Sequence, residues 1–423
     1  MMLIDVLATI LFGIYVFYVF LLITSPKMIK KEKMVYQDLL HYVVFIPCLN
    51  EMKVIDKTVR NILDSGGNVH VVVIDDASDD DTLKVVRKIA SKNVHIIERK
   101  LPNARTGKGE ALNEAFKKLM RVVRMLKVDD TKLIVTVLDG DGEFSKNALK
   151  EASIAFQDSS TSAAQCRVKI RNNKRLLPLL QDVEFFTMVA DIQNVRNYTN
   201  SVGLGGNGQF IRLSALEKLS VEAPWGNSLL EDYEMTLRLF LKGEKIKFLP
   251  RGIVAQEGLT SVKQLIMQRS RWVQGNIECL KYLRRILKSK KIGLSGKIDI
   301  FYFFSQPFLN LLGGILIFFS WIILSVFLYH LVHTELLYSG KLDNTLAFIL
   351  ILIAISIVPG MFFAIKYYWN VRAFKEIESI SFFRCIEAGL FMPIYNIIMI
   401  PSVLIAFKRY LSKENGWIKT ERV

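Results

Sequence analysis

Leu133-Ile134-Val135-Thr136-Val137-Leu138-Asp139-Gly140-Asp141 is an unbroken apolar run that ends in two carboxylates framing a glycine. Three more runs of the same kind precede it: Tyr42–Ile46, ending at Pro47; Val69–Ile74, ending at Asp75-Asp76; and the shorter Val94–Ile97. Between them apolar residues recur at helical spacing, as at Leu83, Val86 and Ile89, and at Leu112, Ala115 and Leu119. Unbroken apolar strands alternating with amphipathic helices predict an α/β domain over residues 40–255, with a mostly parallel sheet and helices on both faces. Ligands of such sheets bind at the carboxyl ends of the strands.

Three of those ends are polar. The first is Pro47-Cys48-Leu49-Asn50-Glu51, the second Asp75-Asp76 followed by Asp79-Asp80-Asp81-Thr82, the third Asp139-Gly140-Asp141. Asp79 to Thr82 read as a helix cap and carry no chemistry. Two aspartates one residue apart place two hard oxygen ligands near one point. That suits Mg²⁺ or Mn²⁺ bridging a diphosphate. Gly140 between them lets a bulky ligand approach the backbone.

Composition narrows the class. The chain has 423 residues, 51% hydrophobic and 23% charged, with mean hydropathy +0.28. It is too charged to lie wholly in a bilayer and too apolar for an ordinary soluble enzyme, so it divides between membrane and water. Four well-separated cysteines with no Cys-x-x-Cys pair exclude a disulfide framework or a cysteine zinc site. The net charge of +16 is concentrated: residues 260–297 hold ten basic side chains and one acidic one, Glu278, just before a long uncharged run. A basic cluster beside a span is drawn to anionic lipid. With no recognisable nucleic-acid module in the chain, nucleic acid is the weaker reading and is not expected as a partner.

Leu3–Ile23 is apolar except for Asp5 and long enough to span a hydrocarbon core; Lys27, Lys30, Lys31 and Lys33 place its far end in the cytoplasm. Phe301–Val332, Thr345–Ile365 and Ala388–Phe407 are charge-free runs. Pro307 and Gly313-Gly314 suggest a break in the first, Pro393 and Pro401 in the third. Three full crossings would leave the C-terminus outside, whereas Lys408, Arg409, Lys413, Lys419 and Arg422 favour the cytoplasm; the number of spans stays open. The expected layout is a membrane helix over 1–26, a cytoplasmic domain over 27–259, basic interface helices over 260–298 and a transmembrane region over 299–423.

These pieces, in their order, resemble the membrane-bound family-2 glycosyltransferases, the group of hyaluronan, chitin, cellulose and poly-N-acetylglucosamine synthases. The resemblance rests on Pro47/Asn50-Glu51, Asp75-Asp76, Asp139-Gly140-Asp141, Glu231-Asp232 and Gln268-Arg269-Ser270-Arg271-Trp272. It implies a GT-A fold and inverting, processive transfer from a UDP-sugar donor to a growing glycan, at the cell membrane and with a divalent metal. UDP-N-acetylglucosamine or UDP-glucose would be the donor. A single addition that makes a glycolipid is the alternative, and accessory or secretion subunits are compatible partners. It further implies that Asp75 and Asp76 lie against the uracil and ribose, that Lys108 and Asp139 contact the donor, that Asp141 binds the metal with Asp139 beside it, and that Asp232 is the general base. Glu51, Gln268, Arg271 and Trp272 fall on the substrate side. Gly203 to Phe210 matches a small-residue loop past the acceptor. Chemistry agrees: a leaving diphosphate needs cations, and a sugar hydroxyl needs a base.

Overall fold

All four apolar runs become strands of one sheet in the computed structural model, which describes residues 40–126, 129–333 and 342–414. They are β1 (His41–Cys48), β2 (Asn68–Asp75), β3 (Val94–Glu98) and β4 (Leu133–Val137), joined by helices α1 (Ile55–Asp64), α2 (Thr82–Arg87) and α3 (Lys108–Leu126). Their pairings are parallel, in the order β3-β2-β1-β4. The chain therefore leaves β1 in one direction to form β2 and β3, then returns to its other edge as β4. That reversal opens a crevice at the carboxyl ends of β1 and β4. Register brings the functional ends level: Cys48 lies opposite Asp75, and Phe45 opposite Val137.

The rest of the sheet departs from the sequence expectation. After β5 (Glu143–Phe144) and α4 (Ala148–Gln157) come β6 (Thr161–Ile170), α5 (Leu176–Val183), a π-helical turn at Glu184–Val189, and α6 (Ala190–Thr199). Then follow β7 (Gln209–Arg212), α7 (Leu213–Leu219), α8 (Glu231–Lys242) and β8 (Lys245–Gln256). β7 runs antiparallel to β4 and β6, and β5 antiparallel to β8, so the full eight-stranded sheet is mixed. The β4–β7 pairing sets Gln209 opposite Val137 and so carries the glycine loop before β7 to the Asp139 turn.

Alternation along β1 divides the core. Val43 and Phe45 face one apolar layer with Phe116 and Trp225; Tyr42, Val44 and Ile46 face the other with Phe210 and Phe144. A third cluster joins α5 and the π turn to the C-terminal helices through Phe186, Leu265, Tyr367 and Met392.

Those helices are α9 (Val262–Cys279), α10 (Leu283–Lys288), α11 (Leu294–His333), α12 (Leu342–Ala373), α13 (Phe382–Ile398) and α14 (Ile400–Leu411). Phe301–Val332 lies on one continuous helix with Pro307 inside it, so the expected break at Pro307 or Gly313-Gly314 does not occur. Pro393 likewise lies within α13, and the helix is interrupted only at Met399, ahead of Pro401 at the start of α14. Among the described residues one helical stretch, Phe382–Leu411, is long and apolar enough to cross a membrane. The expected N-terminal span, Leu3–Ile23, lies outside the described residues.

α9 reaches the α/β domain through a point without a side chain. A Cβ on Gly275 would stand 2.5 Å from the backbone nitrogen of Leu230 and 3.0 Å from the carbonyl carbon of Leu229, just ahead of α8. Backbone cannot yield there as a flexible side chain can. Gly275→Ala is expected to cost about 1–3 kcal/mol, the usual range for overpacking. A thermal unfolding midpoint equal to that of the parent would contradict it.

Candidate active site

Lys108 opens α3, directly after Gly107, whose φ of +135° few residues other than glycine adopt. Its ammonium donates to Asp139 Oδ1 at 2.7 Å and to the carbonyl of Gly206 at 2.7 Å, and lies 3.5 Å from Glu231 Oε1. One cation thus gathers the turn after β4, the glycine loop before β7 and the first residue of α8. Asp232, next on α8, shares this environment: a Cβ on Gly206 would stand 3.1 Å from Lys108 Nζ and 3.4 Å from Asp232 Oδ2.

The cluster perturbs its own acids and bases. Burial, aided by the neighbouring Glu231 carboxylate and opposed by Lys108, pushes Asp232 up to about 7. Burial also raises Glu231, again against the pull of Lys108. Lys108 itself loses by burial, but the Asp139 and Glu231 charges outweigh that loss and hold it above the ordinary lysine value.

Each part has its own fastening. A Cβ on Gly109 would come 2.4 Å from the carbonyl of Gly226. Asn113 bonds both backbone groups of Trp225, at 2.9 and 3.0 Å, tying α3 to the segment that leads into α8. In the glycine loop, Gln193 bonds both the N–H and the carbonyl of Gly203, Thr236 accepts from Leu204 N, and Gln165 accepts from Gly205 N. Asn207 Oδ1 accepts from Asp139 N at 3.2 Å.

The remaining expected residues are placed as follows. Asp141 is fully buried; its Oδ2 accepts from Glu257 N at 2.9 Å and its carbonyl accepts from Arg171. Arg171 also pairs with Glu143 and Glu257 at 2.9 Å each. Asp139 is the more open of the two aspartates, its side chain 32% exposed. Gly140 does not hold the backbone open for a ligand, as expected, because the space of its missing Cβ is filled by Glu51, whose Cγ would lie 2.8 Å away. Asp75 and Asp76 are buried side by side but differ. Asp76 Oδ1 accepts from Arg99 and from Arg105 N, whereas Asp75 Oδ2 accepts from Ser78 N and its Oδ1 has no hydrogen-bond partner among the described residues. Asp80, not Asp81, caps α2, accepting from Thr82 N at 2.9 Å.

Gln268, Arg271 and Trp272 are all half-buried on α9, and Trp272 lies about one turn from the Gly275 contact with Leu229-Leu230. Sequence reasoning missed Arg99, Arg171, Glu257 and Arg269. Arg99, Arg171 and Glu257 stand in no recognisable motif, and Arg269 fills a variable slot of the Gln268–Trp272 motif; each matters through a partner distant in the chain. Among the described residues no cluster of three or more His, Cys, Asp or Glu side chains is arranged to hold a metal.

Comparison with known proteins gives the family and the fold. Residues 41–275, over half of the chain, match the model for glycosyltransferase like family 2, and the chain belongs to that family. It is 27% identical over 390 residues to a probable glycosyltransferase, YdaM, of Bacillus subtilis, across 90% of this chain and 86% of that protein. It is 29% identical over 280 residues to a beta-monoglucosyldiacylglycerol synthase of Synechocystis, across 63% of this chain and 54% of that protein. It is 25% identical over 255 residues to a poly-beta-1,6-N-acetyl-D-glucosamine synthase of Staphylococcus aureus, across 59% of this chain and 58% of that protein. The chain thus spans little more than half the length of the last two. The solved mannosyltransferase PcManGT of Pyrobaculum calidifontis, in complex with GDP-Man and Mn²⁺, aligns over 97% of this chain and 98% of that one, with TM-score 0.58 and 16% identity. That likeness is one of fold, the GT-A-like arrangement of a Rossmann-type sheet.

Gly206 sits against the cation and the carboxylate at once. Gly206→Val is expected to leave the fold intact and lower sugar transfer by roughly 10²-fold, the scale of loss for a misplacement of about 1 Å. Parent-level transfer from a folded variant would show that the loop does not border the reacting groups.

Proposed function

We propose that this family-2 glycosyltransferase transfers a sugar, with inversion, from a UDP-sugar to a hydroxyl acceptor at the cytoplasmic face of the cell membrane, building a β-linked polysaccharide. The observation that carries this reading is the convergence of Lys108, Asp139, Glu231 and Asp232 at the crevice beside β4. UDP-N-acetylglucosamine and UDP-glucose are the favoured donors.

Each residue then has a task. Asp75 Oδ1, buried and without a donor among the described residues, would take the N–H of the uracil edge. Asp76, already held by Arg99 and Arg105, would shape the ribose side of that pocket rather than supply a free carboxylate. Lys108 would offset the charge that grows on the departing diphosphate. Asp232, shifted towards neutrality, is a stronger base than an ordinary carboxylate and would take the acceptor's proton. Trp272 would offer its flat face to the acceptor sugar, with Gln268 and Arg271 on the same helix and Glu51 beneath the Asp139–Asp141 turn.

The residues present suit a Mg²⁺ or Mn²⁺ ion. Such ions need only one or two carboxylates when the substrate's phosphates complete the shell. Asp139, partly open to the cleft, and Asp141 would hold it, and the ion would supply Lewis-acid stabilisation of the leaving group.

Processive synthesis is supported by Gln268 to Trp272 lying on a helix that α14 packs along, with Gln274 donating to the carbonyl of Glu414. We place residues 1–26 as an anchor, 27–259 as the catalytic domain, 260–298 as interface helices and 299–423 as the membrane region. The second reading, a single addition that makes a glycolipid, is favoured by the 29% identity to a beta-monoglucosyldiacylglycerol synthase. Membranes given labelled UDP-sugars distinguish the two: a polymer supports the first, a single-sugar lipid the second.

Asp232→Asn is expected to abolish transfer, by roughly 10²–10⁴-fold, while UDP binding measured by dialysis survives. Unimpaired turnover in that variant would remove Asp232 from the base role. Because the base must be ionised, kcat/KM should fall about tenfold per pH unit below pH 7 and level off above it. Lys108→Gln removes a charge that lowers the Asp232 pKa, so the rising limb should move to higher pH. EDTA should stop turnover and Mn²⁺ restore it; a rate indifferent to EDTA would contradict the metal assignment.

A further inference from the structure

We propose that Glu184 and Tyr395 are positioning residues for Trp272, aiming its ring through Arg269 of the same Gln268–Trp272 stretch; the inference rests on the reading of Trp272 as the acceptor platform. The Arg269 guanidinium donates from Nη1 and Nη2 to the two oxygens of Glu184, at 2.8 and 2.7 Å. Its Nη2 also donates to the Tyr395 hydroxyl at 3.1 Å, and that hydroxyl donates to Glu184 Oε2 at 2.6 Å. The three groups form a closed ring of charge-assisted bonds, with the guanidinium plane held by a fork that a lysine cannot reproduce.

That plane bears on the tryptophan. The guanidinium carbon lies 4.4 Å from the Trp272 ring centroid and 5.3 Å from that of Phe185. Phe185 meets Trp272 edge to face, with centroids 6.1 Å apart and planes at 79°. Trp272 is therefore steadied by a fixed cation and a ring edge while remaining half-buried, so that part of it stays open.

Three separate elements build the bracket. Glu184 and Phe185 come from the π turn between α5 and α6, Arg269 and Trp272 from α9, and Tyr395, 3% exposed, from α13. The wider π turn lets adjacent residues serve different partners: Glu184 takes Arg269, Phe185 takes Trp272, and Phe186 packs on Tyr367 and accepts from Arg167 with its carbonyl. Tyr395 makes the aim of Trp272 depend on the seat of a helix in the stretch apolar enough to cross a membrane.

The test uses the full chain in detergent, with Tyr395→Phe, Glu184→Gln and Arg269→Lys made in the parent and in a Trp272→Leu background. The readouts are acrylamide quenching of the emission that Trp272→Leu removes, and KM for chitotetraose as acceptor probe against KM for UDP-N-acetylglucosamine. The expected result is easier quenching of Trp272 and a several-fold rise in acceptor KM at constant donor KM, with no further change in the Trp272→Leu background. Equal losses in both backgrounds, or an unaltered Trp272 signal, would overturn the proposal. If Trp272→Leu alone leaves acceptor KM unchanged, the platform reading fails instead, and the quenching arm still decides whether the bracket aims the ring.

Discussion

A single buried ammonium sets the geometry of the cleft. Lys108 lies within reach of two carboxylates and one carbonyl that come from three different elements. Each carboxylate would be costly to bury unpaired, and the cation would be costly to bury without them. Their mutual need fixes how α3, the turn after β4, the glycine loop and the start of α8 sit relative to one another. Burial in the same cluster, with the Glu231 carboxylate beside it, gives Asp232 its elevated pKa against the pull of Lys108.

Backbone register delivers those parts to the point where Lys108 can gather them. Placing β1 between β2 and β4 levels the strand ends that carry Glu51, Asp75 and Asp139, and pairing β4 with β7 brings the glycine loop alongside. Side-chain amides then fix the loop: Gln165, Gln193 and Asn207 satisfy backbone groups that regular structure leaves open. Glycines work by absence. Gly109, Gly140 and Gly275 each give their Cβ space to a neighbouring segment, so the close approaches around the cleft are between chain segments as well as towards a ligand.

Polar contacts also link the catalytic domain to its C-terminal helices. Lys169 with Asp182 and Tyr367, Lys366 with Asp191, Arg196 with Asp299, and Arg269 with Glu184 and Tyr395 all join residues of β6 to α6 or of α9 to residues of α11, α12 or α13, or complete such joints. Most are at least half-buried, where a pair restricts orientation more than it adds stability. The helix that carries Trp272 is thus oriented from both sides.

The sequence by itself determined the parallel half of the sheet, its helices and the acidic strand ends, because burial on two faces leaves an unbroken apolar run and one-sided burial leaves a helical period. It missed β5, β6, β7 and β8. In β6, Gln165, Arg167 and Lys169 are polar yet buried, each satisfied by a partner far along the chain, so its sequence lacks the apolar signature of a core strand. The motifs also brought Asp75, Asp76, Lys108, Asp139, Asp141 and Asp232 into view, but not their circumstances. Only the tertiary structure decided that Arg99 occupies Asp76, that the Glu257 amide occupies Asp141, that Glu51 fills the space beside Gly140, and that Asp75 keeps one oxygen without a partner among the described residues. A local pattern records whether a residue is buried; which distant group it meets there depends on how the elements pack, and no spacing in the chain encodes that.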